Sequence, residues 1–153
     1  MCTNRQRTMK RIFCLLFLFV SLSGCLITEW EDVSNESKYI KLIGLELITK
    51  ETMRAHGITM EPNYEKILSH YSITPLPGFS GPEVLSVTIL PVGTKVKIVK
   101  VVRCIDCFIK EVDIELRLIE GPSLYAAPSR FDYEYFIENK DRLFTVINER
   151  EHR

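Results

Sequence analysis

Between Thr94 and Glu120 the chain reads TKVKIVKVVRCIDCFIKEVDIELRLIE, with no proline or glycine and a predominance of β-branched residues. In its second half Val112, Ile114, Leu116 and Leu118 alternate with Asp113, Glu115 and Arg117. That period of two marks a strand with one buried face. The first half starts the same way, Lys95 and Lys97 alternating with Val96 and Ile98, and then slips: Ile98 and Val99 are both apolar, and Lys100 stands where an apolar residue is due. A hairpin turning at Ile105-Asp106 accounts for the pattern, with Cys104 opposite Cys107, Val102 opposite Ile109 and Lys100 opposite Glu111. If Ile98 and Val99 both oppose Val112, the alternation is restored, and Lys97 meets Asp113, Val96 meets Ile114 and Lys95 meets Glu115. Such cross-strand pairs contribute about 0.2–1 kcal/mol each. The expectation is a long, bulged hairpin.

Other segments carry the same signature more briefly. Leu42–Thr49 (LIGLELIT) and Glu83–Leu90 (EVLSVTIL) read as strands, and Leu90–Thr94 as a turn with Pro91 at its first central position and Gly93 closing it. Asn63–Tyr71 reads either as a short helix or as the lead into a strand. Between 129 and 148, RFDYEYFI and RLFTVIN form a closing hairpin around ENKD, unless Ser129 and Asp132 start a helix. Short strands at close spacing predict a mainly β domain, a small barrel or sandwich. The stretch LPVGTKVKIVKV resembles a strand entry of SH3-like barrels, which implies a compact barrel of the kind that binds peptides or glycans.

The chain opens differently. Arg5, Arg7, Lys10 and Arg11 precede an unbroken apolar run from Ile12 to Val20, and small residues follow. This order is that of an export signal. The run is shorter than the roughly 20 apolar residues that span a bilayer. Leu22-Ser23-Gly24-Cys25 resembles the lipobox of bacterial lipoproteins. The resemblance implies cleavage before Cys25, a diacylglyceryl group on its sulfur, and acylation of the new amino terminus. Leu26, where the inner-membrane retention signal has aspartate, implies a lipoprotein of the outer membrane, facing the periplasm. Several acyl chains suit an anchor, because one chain holds only marginally at about 0.8 kcal/mol per methylene. The chain thus divides into a signal peptide (1–24), a lipidated cysteine with a polar tether (25–37) and one mostly β domain (38–150). Within the tether, Trp30 reads either as a residue at the lipid interface or as part of a loose linker.

Processing changes the charge. The chain balances 20 bases with 20 acids, and the signal segment removes four bases and no acid. The acidic remainder excludes nucleic acid as the main partner; the bilayer, through acylated Cys25, and an envelope protein or the cell wall are the expected ones. Cys2 and Cys14 leave with the signal, so Cys104-Ile105-Asp106-Cys107 is the one motif with redox chemistry. Its readings are a structural disulfide across the hairpin end, a free thiol pair, or a redox dithiol, which would need a helix N-terminus or cations beside the first sulfur. A zinc site would need four ligands, and no second Cys/His pair supplies them. Pro75–Val84 (PLPGFSGPEV) is the other candidate: Pro77-Gly78 suits the middle of a type II turn, and a rigid loop presenting Phe79, with Tyr71 upstream, can hold a partner or simply cap the core. His56, in a turn-like setting before Gly57, His70 and His152 form no readable constellation, and no motif points to a metal, a cofactor or a catalytic group. Two functions follow as expectations: a non-enzymatic, membrane-anchored interaction or structural domain, and a thiol–disulfide protein of the envelope. For the anchor, a clickable fatty acid fed to cells should label the wild-type protein and leave Cys25→Ser unlabelled and soluble; an unlabelled wild-type protein overturns it.

Overall fold

The alternating stretches become strands, and their order in space is not their order in the chain. The computed structural model describes residues 29–148 apart from 62, 106, 108–110, 123 and 125–126. Residues 1–24, read above as an export signal, Cys25 and His152 lie outside the described residues. Of the described residues 48% are strand and 10% helix, so the domain is mainly β. The strands are β1 (Trp30–Asp32), β2 (Glu46–Thr49), β3 (Met53–Ile58), β4 (His70–Pro75), β5 (Val84–Leu90), β6 (Lys95–Cys104), β7 (Val112–Glu120), β8 (Ser129–Asp132) and β9 (Phe144–Asn148). One helix, α1 (Tyr133–Leu143), separates β8 from β9.

A single sheet runs β5-β3-β4-β8-β7-β6-β2-β9, with β1 on the free half of β6. All pairs are antiparallel except β4 with β8. The sheet is open, with β5 and β9 at its two ends, so the closed SH3-like barrel expected from LPVGTKVKIVKV does not form. β8 and β7 lie between the two halves of the sheet, β8 parallel to β4, and the end strands β5 and β9 do not pair among the described residues.

Two short links bend this sheet over itself. Residues 50–52 carry the chain from β2, near one end, to β3, near the other, and Pro91–Thr94 carry it from the edge strand β5 to β6. Links so short cannot span a flat sheet of this width, since a residue reaches at most about 3.6 Å and each strand adds about 4.8 Å. The inner faces therefore meet. Met53, Ala55, Ile73 and Leu90 of the β5-β3-β4 half join Leu47, Val96, Ile98, Ile114, Leu116 and Phe131 in one core. Phe136 and Leu143 of α1 and Phe144 of β9 complete that core, with Phe131, Phe136 and Phe144 in mutual ring contact.

The two links are tied together by a buried pair, Thr49 and Thr94. The Thr49 N–H donates to the Thr94 carbonyl at 3.0 Å, and the Gly93 N–H to the Thr49 carbonyl at 2.9 Å. The Thr94 N–H donates to Thr49 Oγ1 at 3.0 Å, and both hydroxyls donate to the Pro91 carbonyl, at 3.0 and 2.7 Å. Thr94 N–H also lies 3.2 Å from the Pro91 carbonyl. Pro91 is thus the first corner of the turn and not its first central residue. Gly93, at φ +88°, takes the left-handed position that a type II turn assigns to glycine.

The long hairpin forms with a different register. Its bulge falls at Val99, between Ile98 and Lys100, but Arg103 faces Val112, Lys100 faces Glu115, Ile98 faces Leu116 and Lys97 faces Arg117. The connection is longer than two residues: Cys104 N–H reaches the Glu111 carbonyl at 2.9 Å, and Cys107 lies in the loop. The partner of Cys104 thus moves from 107 to 111. From Val96 to Arg103 the shift is four, which preserves parity, so each of these side chains keeps its face; a second irregularity between Lys95 and Val96 brings Lys95 opposite Glu120. The lysines find other acids, Lys97 with Glu46 at 2.9 Å and Lys95 with Glu120 at 2.8 Å.

Two further expectations change. Trp30–Asp32, assigned to the tether, pair with Val102–Cys104, and Val33 beyond them is buried against Tyr39 and Val101. The residues between 129 and 148 adopt the helical alternative after a first short strand: the Asp132 carboxylate caps the Tyr135 N–H at 2.6 Å, and ENKD lies inside α1. Leu42–Gly44 turn before β2 starts, and His70 and Tyr71 open β4. Thr49→Val keeps the shape but removes the hydroxyl's two hydrogen bonds and leaves the Thr94 N–H only its longer contact with the Pro91 carbonyl, and should lower stability by about 1–2 kcal/mol. Thr74→Val, at a buried hydroxyl without a hydrogen bond, should be neutral or stabilising; urea midpoints of the two variants check the contrast.

Candidate functional site

Register places the polar residues. In-register neighbours share a face of a sheet. His56 is opposite Ser72, Arg54 opposite Thr74, Ser72 beside Arg130, and Arg130 opposite Glu115; Asp113 is opposite Asp132. These residues lie on the face away from the core. On that face is a cleft of about 750 Å³, floored by His70, Ser72, Thr74, Asp113 and Arg130. Residues 75–79, ending in Phe79, form part of its wall, and Trp30, Cys107 and Glu111 form another part.

The electrostatics are unbalanced. The residues lining the cleft include four carboxylates, Glu83, Glu111, Asp113 and Asp132, against one guanidinium, Arg130. Arg130 packs its guanidinium 4.0 Å from the centre of the Trp30 ring, and its Nε lies 3.9 Å from Glu115. Burial pushes the Asp113 carboxyl from 3.8 up to about 6; Arg130 opposes this, and Glu111, Asp132 and Glu115 add to it. Burial, with Arg130 nearby, pulls the His70 imidazole from 6.5 down to about 4. Both shifts oppose folding in part of the pH range, and neither group has a partner that compensates fully.

The predicted site residues separate. Phe79 lines the cleft, 39% exposed, and stacks on His56 with ring centroids 4.3 Å apart. Tyr71 packs against the core from the other face of β4, so it cannot share a binding surface with Phe79. His56, expected in a turn, is central in β3 and fully buried. The turn expected with Pro77-Gly78 in its middle is instead centred on Leu76 and Pro77, joined by a cis peptide bond, which puts proline at the second central position; Gly78, at φ +76°, follows it. Cys104 and Cys107 are joined, with Cα atoms 5.6 Å apart, the span of a disulfide. Cys104 ends a strand and Cys107 sits in the following loop, so no helix N-terminus adjoins either sulfur among the described residues. Within the same residues no three His, Cys, Asp or Glu side chains group as a metal site, and no helix is long and apolar enough to cross a membrane.

In the sequence Trp30 reads as part of the tether, His70 as one of three unconnected histidines and Asp113 as the cross-strand partner of Lys97, while Arg130 is not singled out. The alternation in HYSIT and VDIELRL identifies which of their residues share a face, but nothing local signals that β8 inserts Arg130 between those strands. Comparisons of the chain with protein-family models, with curated proteins and with solved structures find no match.

The two shifted groups act in opposite directions. Asp113 binds its proton more tightly when folded, so it adds stability as pH falls from about 6 toward 3.8. His70 binds its proton less tightly when folded, so it removes stability as pH falls from 6.5 toward about 4. The wild-type protein should show little net slope from these groups between about pH 6 and 4. Asp113→Asn should gain on the order of 2 kcal/mol at pH 7 and lose it on acidification. His70→Gln should instead become more stable as pH falls. Urea midpoints across that range check both signs.

Proposed function

We propose that this chain is a non-enzymatic lipoprotein of the cell envelope, held by acylated Cys25 at the outer membrane and facing the periplasm, and that its domain binds a short extended segment of another envelope protein in the cleft. The observation that carries the binding role is Asp113: a carboxyl at about 6, crowded by three other acids, is kept on the floor of an open cleft at a cost to folding. Groups shifted in this way cluster where proteins bind or react. The cleft has the size of a ligand site, and its rim exposes Met60, Leu76 and Phe79 at 51%, 51% and 39%. A polar, charged floor with an apolar rim matches a polypeptide segment better than a purely apolar ligand.

A second reading, thiol–disulfide exchange, is favoured by the position of Cys107 in the cleft wall while Cys104 is buried. A photo-crosslinking residue placed at position 79 or 71 in living cells separates the readings. The binding role predicts a discrete protein adduct from position 79, none from 71, and about tenfold less adduct in Asp113→Asn, the loss of one charge-assisted contact. It also predicts that Cys104→Ser/Cys107→Ser loses about 2 kcal/mol of stability with the adduct retained. Equal adducts from both positions, or none, overturn the binding role; an adduct lost only in the double cysteine variant favours exchange.

A further inference from the structure

The polar face of β3 and β4 continues beyond the open cleft, beneath residues 76–79. His56 is fully buried there, and neither ring nitrogen has a hydrogen-bond partner. Arg54 Nε and Thr74 Oγ1 are also buried without partners. These are four of the five such side-chain atoms among the described residues, so the unpaired polarity is concentrated under one loop. An unpaired buried polar group costs more than a hydrogen bond contributes. This loop is therefore the part of the surface whose lifting relieves the structure most.

The loop is placed low by a specific residue and held by few contacts. A Cβ on Gly78 would stand 2.6 Å from His56 Nε2, so only glycine lets the backbone lie this close. Its ties to β3 among the described residues are one hydrogen bond, from Arg54 Nη1 to the Pro77 carbonyl at 2.7 Å, and the stack of Phe79 on His56. Leu76 and Phe79 present much of their surface to solvent even when closed.

We propose that residues 76–79 are a lid, and that lifting it opens a subsite for a carboxylate on the segment bound in the cleft. The proposal rests on the peptide-binding reading above. Opening frees Arg54 Nη1 from the Pro77 carbonyl and exposes Nε, which with Nη2 forms the two-donor fork that grips a carboxylate through parallel hydrogen bonds. Thr74, the register partner of Arg54, adds a hydroxyl, and His56 adds a ring N–H. Arg54 forms no ion pair among the described residues, so its charge is free to meet the ligand's. Three of the cleft's acids lie farther along the face, on β7, β8 and the loop before β7, and the fourth, Glu83, precedes Val84 beside Ile58, at the other end of β3 from Arg54, which leaves this end to the cation.

Two separate reporters test this in the full-length protein in detergent. Trp30, the chain's single tryptophan, reports cleft occupancy by fluorescence, and the His56 ring proton resonance reports the subsite. The probes are random N-acetylated pentapeptide pools: one with a free terminal carboxylate and no acidic side chain, one amidated with a central glutamate, and one amidated and neutral. At least one carboxylate pool should bind about tenfold more tightly than the neutral pool and shift the His56 resonance. Whichever pool does so identifies the terminal or the side-chain carboxylate as the source. Arg54→Gln should remove the preference while Trp30 still responds to the neutral pool. Phe79→Ala should raise the rate at which diethyl pyrocarbonate modifies His56 several-fold, and the preferred pool should lower it again.

Equal binding of the neutral pool, or an unchanged His56 modification rate in Phe79→Ala, overturns the proposal. A Trp30 response with a silent His56 sinks the subsite and leaves the cleft reading standing. Silence of Trp30 toward all pools sinks both.

Discussion

The fold depends on one corner. Thr49 and Thr94 stand at the two places where the chain passes from one half of the sheet to the other, and each satisfies the other's backbone. Were the links longer, the sheet could lie flat and its apolar face would need another cover. With links this short, each half of the sheet covers the other. The hydroxyls are buried because the corner is buried, and they are satisfied because both turn toward Pro91. Hydrogen bonds of this kind add little when made and cost much when one partner is lost, so the corner constrains more than it contributes.

Bending the sheet inward on its apolar face turns its polar face outward, and the cleft follows from that geometry. The strands that supply Ile73, Ile114 and Phe131 to the core supply Ser72, Asp113 and Arg130 to the cleft, one residue away in each case. Core and site are two sides of the same alternation. That coupling explains why a carboxyl as poorly compensated as Asp113 and an imidazole held neutral like His70 are tolerated: the inner face holds the strands in place whatever the outer face carries. It also explains the contrast between two threonine hydroxyls, since that of Thr49 serves the corner and is fully bonded, whereas that of Thr74, on the outer face, is not.

The long hairpin shows how far local pattern carries. Alternation in VDIELRLIE identified the buried face of β7, and the slip at Ile98-Val99 located the bulge, because both are properties of a few adjacent residues. The register was displaced by four, because the loop after Cys104 is set by contacts from elsewhere: Ile105 bonds to Glu29, and β1 occupies the neighbouring edge. Tyr71 and Phe79 show the limit from the other side. They lie close in sequence, one on a strand and one on its following loop, and the parity of the strand turns the first inward while the loop turns the second out.

The sequence by itself determined the strand-rich character, the position of the bulge, that the chain turns near Pro77 and near Gly93, and the face on which each strand residue of the long hairpin falls, because side-chain period and the backbone limits of proline and glycine act over a few residues. Only the tertiary structure decided that the sheet stays open, that β4 and β8 lie parallel, and that Trp30, His70, Asp113 and Arg130 meet in one cleft. Those facts depend on which distant strands pair. Strand pairing is chosen by the burial of the whole apolar face at once, and no short stretch of the chain records it.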